Sequence, residues 1–452
     1  MNKILGSLLL CFMQANILLG QDLEGTWTGS IPLNGNPLEL SFTFSKTDTG
    51  WLSTLDIPKQ GLNGYKIQGT RIVNPLVDLQ VPEFNMAYKG SIHSDSLIEG
   101  HLFQHGIKLA LNLTRANIAL HRPQNPVGDL PYMTEEITFQ TKEGFKLKGT
   151  LSLPSSKSYP LVMLVSGSGP QDRDGTLFGH KPNLVIADYL TRNGIAVLRY
   201  DEKGVGASEG TYAGSSIETQ YEDVLSALAY IQNRKDLNIN ALGLIGHSIG
   251  GLVSTRVAAN SKQIDFLVLL ASPGLNGDSL MLQQKADFEK LQGLNDAQIA
   301  QGQILVKQAY QIITGTSLQG AALKDTLNAT YLDAYGSLIP DKARAKLVES
   351  LSTSELVSLI RSKPKEDLEK ITCRVLAMNG TKDFQVSAKE NLSAIQQALE
   401  KGGNKHVSIQ SLEGLNHLLQ EADTGDLSEY AQIEQTIAPR VLETLVSWIN
   451  AY

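Results

Sequence analysis

Along residues 38–44, Leu38, Leu40, Phe42 and Phe44 alternate with Glu39, Ser41 and Thr43. A period of two predicts a strand with one face buried and the other in water. Short runs of the same kind recur at Gly25–Gly29, Tyr65–Ile72, Phe84–Ile92 and Leu97–Leu113, with turn pairs at Asn34-Gly35, Asn63-Gly64 and Lys89-Gly90. The rhythm predicts an antiparallel all-β barrel or sandwich over residues 22–120, with about seven or eight strands.

A proline-marked stretch at 121–134 (Pro123, Pro126, Pro131) reads as a linker, and beyond it the pattern changes. Apolar runs at Leu161–Val165, Ile195–Tyr200, Leu242–Ile245, Phe266–Leu270 and Cys373–Met378 are strand-like, with amphipathic helical spacing between them at Asn183–Asn193, Ile217–Arg234 and Gly250–Ala259. Strand–helix alternation of this kind implies a largely parallel sheet over 135–452. An opening hairpin is expected at Glu136–Thr141 and Lys146–Leu153, and a closing helix at Tyr430–Ile449. Strand spacing stops between 276 and 364, where Met281, Phe288, Leu291, Ile304 and Ile312 carry helical periods. A helical insertion accounts for that length better than a loop does.

Composition changes this picture little. The chain has 452 residues, 42% apolar and 19% charged, with a net charge of −7 and no long basic run, which argues against nucleic acid or an anionic membrane as partner. Residues 1–20 have a short basic start and an apolar run interrupted by Gln14 and Asn16, and read as a cleaved secretory signal. The mature protein would then be exported, periplasmic or secreted, with no membrane-spanning domain. Leu10 before Cys11 departs from a lipid-attachment site. Cys373 is then the only cysteine, in an apolar run, so no internal disulfide is expected. His101 and His105, in one strand, would lie about 13 Å apart, too far to chelate one ion.

Candidate chemistry centres on Gly246-His247-Ser248-Ile249-Gly250, a G-x-S-x-G match. It follows a strand-like run and precedes a helix-like one, as a nucleophile on a strained strand-to-helix turn requires. A second match at Gly206–Gly210 places Ser208 in a glycine-rich loop with no helix after it. A nucleophilic serine needs a base, a carboxylate to orient the base, and backbone donors for the oxyanion. Asp383 follows the run at 373–378, and His417 follows the strand-like run at 406–410. Asp201 and Glu413 are less well-placed acids, and His247 reads as a structural residue of the turn. The donors expected are the Ile249 amide and, from the glycine-rich loop after 161–165, the Ser168 amide. Arg173 in that loop either pairs with Asp172 and Asp174 or orients a polar substrate. This chemistry needs no metal or organic cofactor.

These motifs resemble the α/β-hydrolase superfamily, and in particular exported bacterial esterases. The matching stretches are G-S-G-P-x-D-R-D-G at Gly167–Gly175, Y-D-x-R-G-x-G-x-S at Tyr200–Ser208 with Lys203 for arginine, G-H-S-x-G-G at Gly246–Gly251, and G-x-x-D-x-Q-V at Gly380–Val386. Several such esterases carry an N-terminal β domain with G-x-W-x-G, here Gly25–Gly29. The resemblance implies an α/β-hydrolase fold, with a mostly parallel eight-stranded sheet and a helical lid near 276–364. It further implies a serine carboxylesterase with a Ser248–Asp383–His417 triad acting on a small-molecule ester; short-chain esters are favoured because no long apolar tunnel is legible in the sequence. Two other functions compete: a peptidase or amidase of prolyl-oligopeptidase type, and a glycan- or envelope-binding protein led by the β domain.

Overall fold

The computed structural model describes residues 23–32, 37–47, 50–57, 60, 62–115 and 122–451; the expected signal at 1–20 lies outside them. The chain divides into two compact units, Met1–Ala119 and Leu120–Tyr452.

The first unit is an antiparallel half-barrel of β1 (Gly25–Ile31), β2 (Leu38–Thr47), β3 (Gly50–Ile57), β4 (Leu62–Lys66), β5 (Gly69–Val73), β6 (Leu76–Val81), β7 (Met86–Ser94), β8 (Leu97–Gln104), β9 (Ile107–Ala110) and β10 (Leu113–Thr114). The strand order is β4-β3-β2-β1-β10-β8-β7-β6-β5, with β9 on β8. Among the described residues there are ten strands rather than seven or eight: the runs at 65–72 and 97–113 break, and β3 and β6 lie outside the expected runs. His105 and Gly106 take positive φ and turn β8 into β9, so His105 is not in a strand with His101. Trp27, Phe42, Phe44 and Tyr88 fill the core.

The second unit is built on a mixed sheet of β11 (Met133–Gln140), β12 (Lys146–Leu153), β13 (Tyr159–Val165), β14 (Ala196–Tyr200), β15 (Ile239–His247), β16 (Phe266–Leu270), β17 (Arg374–Gly380) and β18 (Val407–Leu412). The order is β11-β12-β14-β13-β15-β16-β17-β18. The hairpin β11–β12 and the β12–β14 pairing are antiparallel, and the remaining pairings are parallel.

Nearly continuous apolar strands such as β16 (Phe-Leu-Val-Leu-Leu, all buried) reflect coverage on both faces. One face packs on α2 (Ile217–Asn233), α3 (Ile249–Asn260) and α10 (Ala388–Lys401), the other on α1 (Pro182–Arg192) and α12 (Pro439–Asn450). Between β16 and β17 come α4 (Gly277–Leu291), α5 (Asp296–Gly315), α6 (Gly320–Tyr335), α7 (Asp341–Leu351), α8 (Ser354–Arg361) and α9 (Pro364–Leu368). The apolar faces of α5–α8 share a core that includes Tyr310, Leu323, Leu327, Tyr331 and Val348, with α4 packed against it, whereas Leu368 of α9 joins the core beneath the sheet.

Two expectations need revision. The closing helix begins at Pro439 rather than Tyr430, after the short α11 (Leu427–Tyr430). Proline has no N–H to continue a helix, so it marks the first turn. The intervening residues instead serve the stretch read as a linker. Arg122 donates to the carbonyls of Phe178, Ala431 and Ile433, and Gln124 exchanges bonds with Thr436 and Ile437. That part of 121–134 is packed into the second unit. Among the described residues no helix is long and apolar enough to cross a membrane.

Candidate active site

The carboxyl ends of β13, β15, β17 and β18 gather the chemistry. At the β15–α3 turn Ser248 holds φ 54° and ψ −124°, a conformation that residues with a Cβ rarely adopt. Its amide donates to the Leu270 carbonyl at 2.9 Å. A Cβ at Gly246 would collide with the Gly250 carbonyl, and one at Gly250 with the carbonyls of Val165 and Ser166. The two glycines of the pentapeptide are therefore steric requirements of the turn.

Asp383 lies on the loop after β17 and is buried. Asn379 shapes that loop by donating to the Val386 carbonyl at 2.6 Å and accepting the Gly380 amide at 2.8 Å. One Asp383 oxygen accepts the amides of Gln385 and Val386 at 2.8 and 2.9 Å, and Oδ2 is left to face His417. His417 lies on the loop after β18, beside a fully buried Asn416 whose Oδ1 accepts the amides of Leu418 and Gln420.

His417 Nδ1 is 2.7 Å from Asp383 Oδ2, and Nε2 is 3.1 Å from Ser248 Oγ. A carboxylate can only accept, so Nδ1 carries the proton and Nε2 offers its lone pair to the serine hydroxyl. An array of this kind can deprotonate the serine as it attacks a carbonyl and hold the imidazolium that results.

His247, expected to be structural, does more than fill the turn. Its Nε2 donates to the His417 carbonyl at 2.9 Å, and the two rings lie 4.9 Å apart at 51°. Protein atoms crowd the ring, and this burial, with the neighbouring His417, lowers its pKa to about 4, so it is neutral near pH 7. Neither the Ile249 nor the Ser168 amide donates to any group among the described residues.

Ser248 stands between two cavities. The first, about 280 Å³, is walled by Leu177, Phe178, Ile186, Leu270, Leu418 and Tyr430, and His247 and His417 line it. The second, about 230 Å³, is lined by Ile249, Pro273 and the insertion residues Leu280, Met281, Leu356 and Leu359. His180, fully buried, braces the first by bonding Thr436 Oγ1 and the Tyr430 carbonyl, both at 2.9 Å.

The other sequence candidates lie elsewhere. Arg173, expected as a possible substrate contact, spends its guanidinium on Asp201, Glu136 and Thr150 and lines neither cavity. Its partners are not the adjacent Asp172 and Asp174. Asp201 is thereby committed, and Glu413 is exposed. Ser208 donates to the Asp201 carbonyl at 2.7 Å and accepts the Lys148 amide. Among the described residues no cluster of three or more His, Cys, Asp or Glu is arranged to hold a metal ion.

The fold and this site define an α/β-hydrolase. The family model Hydrolase_4, described as "Serine aminopeptidase, S33", matches residues 184–423, and the chain belongs to that family of serine hydrolases. Esterase EstD of Thermotoga maritima is 24% identical over 324 residues, 71% of this chain and 70% of its own length. The uncharacterized protein YfhR of Salmonella typhimurium is 31% identical over 134 residues, 29% of this chain and 44% of that relative. A solved esterase of Pyrococcus furiosus aligns with a TM-score of 0.43 at 15% identity, covering 74% of this chain and all of that one.

Proposed function

We propose that this serine hydrolase, a carboxylic ester hydrolase, works through a Ser248–His417–Asp383 triad on small esters with short acyl chains. The observation that carries the reading is the continuous Asp383–His417–Ser248 hydrogen-bond chain ending on a strained serine.

His417 Nε2 takes the Ser248 proton as Oγ attacks the ester carbon. The displaced carbonyl electrons form an oxyanion that accepts from the Ile249 and Ser168 amides, with the N-terminus of α3 behind the first. Collapse expels the alcohol oxygen, which receives the proton from His417. Water, deprotonated by His417, then attacks the acyl-enzyme, and a second collapse releases the acid and returns the proton to Ser248. Asp383 stays ionised and orients the ring.

His417, the group that protonates the departing alcohol, lines only the first cavity, so that cavity takes the alcohol portion. The acyl group then enters the second, beneath the helical insertion, which serves as a lid. Its 230 Å³ lies below the roughly 300–1,000 Å³ usual for small-molecule sites, which favours short chains.

Fluorophosphonate labelling of the wild type and of Ser248→Ala tests the triad. Label on the wild type alone is expected; label that persists in the variant would remove Ser248 from the role. A panel of acyl esters from acetate to palmitate tests the chain length.

The family's description favours a second reading, hydrolysis of an aminoacyl amide, and an aminoacyl anilide in the same panel decides it. From residues 1–20 we also propose export, which cell fractionation tests.

A further inference from the structure

The loop after β13 is held by three carboxyl side chains. The Gly169 amide donates to Glu355 Oε1 at 2.9 Å, the Gln171 amide to Glu202 Oε2 at 3.1 Å, and the Arg173 amide to Asp201 Oδ1 at 2.8 Å. Pro170 has no N–H to offer. Asp201 and Glu202 follow β14 directly. Glu355 differs in origin, because it stands in the first turn of α8 within the helical insertion.

We infer that Glu355 is a positioning residue for the oxyanion site, linking the acyl-pocket wall on α8 to the amide orientation of the loop after β13. The inference rests on the proposed role of the Ser168 amide.

The peptide plane joining Ser168 to Gly169 is fixed at both ends. Its carbonyl accepts from Gln171 Nε2 at 3.0 Å and its N–H donates to Glu355. The next plane back carries the Ser168 N–H. Gly169 has φ +81°, and a Cβ there would meet nothing within 4 Å, so local packing does not hold the plane. Glu355 therefore supplies, at the N–H end of the plane, a restraint that the loop itself provides only at the carbonyl end.

Its own anchorage is firm. The Thr353 side chain caps α8, and Ser358 Oγ, one turn on, donates to the Glu355 carbonyl at 2.9 Å and accepts the Ile217 amide at 3.1 Å. Leu356 and Leu359 of the same helix line the second cavity with Glu355. An acyl group that fills the cavity therefore presses on the helix that holds the Gly169 amide.

Charge separates this role from an electrostatic one. A carboxylate near a developing oxyanion opposes it. What Glu355 contributes is an acceptor in a fixed place, and a glutamine offers the same acceptor without the charge.

The test is steady-state kinetics of full-length Glu355→Gln, Glu355→Ala and Glu355→Met on a short p-nitrophenyl ester, with Ser248→Ala alongside. Removing an oxyanion donor outright costs about 10²–10³ in kcat. A donor left in place but loosened should cost about 10–100-fold in kcat for Glu355→Ala and Glu355→Met, with KM within about threefold. Glu355→Gln should stay within about threefold of wild type in both. The methionine variant nearly keeps the side-chain length and carries the test should the alanine variant fail to fold. Unchanged kcat in the apolar variants, a loss confined to KM, or a glutamine variant as slow as the alanine would each overturn the inference. Turnover by Ser248→Ala within about tenfold of the wild type would instead overturn the triad on which it rests.

Discussion

The His247 ring donates from Nε2 to the backbone carbonyl of His417, so the residue beside Ser248, the proposed nucleophile, fixes the backbone of the proposed base. His247→Ala should therefore lower kcat by about 10–100-fold while leaving KM little changed and fluorophosphonate labelling of Ser248 detectable, because the side chains of Ser248, His417 and Asp383 all remain. Stopped-flow and steady-state assays on one ester check this. A wild-type kcat in the variant would reduce His247 to packing.

Asp383→Asn keeps the size of the side chain but replaces the acceptor that selects the His417 tautomer. Losses of about 10³–10⁴ in kcat have that cause in other triads. The same magnitude is expected here, with thermal stability little changed. A loss of tenfold or less would assign the orienting role to another group.

Gly250→Ala drives a methyl group into two backbone carbonyls that cannot turn aside. It should destabilise the fold by about 3 kcal/mol or more, read by urea unfolding. Gly251→Ala meets Ser272 Cβ at 2.4 Å, which rotation of the hydroxyl does not move, so it too should destabilise the fold in the same assay.

Phe178 walls the first cavity and packs edge-on against Tyr430, with centroids 5.8 Å apart. Phe178→Ala should raise kcat/KM for esters of bulky alcohols relative to methyl esters by about tenfold, at about 3 kcal/mol in stability. Met281→Trp should shorten the accepted acyl chain, since Met281 lines the second cavity. Reversed effects on alcohol and acyl selectivity would exchange the roles of the two cavities.

Glu202 shows how burial sets a pH dependence. Desolvation first, then the charges of Glu355 and Asp223, outweigh the bond from the Gln171 amide and push its pKa up to about 8. The folded state thus binds this proton more tightly than the unfolded chain does. The resulting stabilisation is complete below about pH 4.5, falls by up to about 1.4 kcal/mol per pH unit, and is gone above about 8. Glu202→Gln should gain stability relative to wild type steadily from pH 5 to about 8 and then level off. Thermal melts across that range check it; parallel curves would show that Glu202 titrates normally.

Ser248, Asp383 and His417 could be picked out as candidates because each follows a strand-like run, and an apolar run followed by a loop is a local signal. The half-barrel was legible for the same reason, through the alternation at Leu38–Phe44. What escaped depends on contacts between distant parts of the chain. Nothing near His247 announces that its ring reaches a carbonyl 170 residues later. Arg173 was read against its neighbours in sequence, whereas its partners Glu136 and Asp201 come from β11 and the end of β14. Asn379 and Asn416 shape the loops that present Asp383 and His417; the one signal for either is a polar residue at a strand end or beside the histidine. Pro439 did mark the start of α12, but the apolar residues ahead of it carried helical spacing past the break.

Arg122 and Gln124 bind the backbone of 431–437 and of Phe178, segments that roof and brace the first cavity. Anyone excising the catalytic half at residue 135, where strand–helix alternation begins, would cut away that clamp and leave four backbone carbonyls and two amides without their partners. The seam at which this enzyme can be divided lies nearer residue 120.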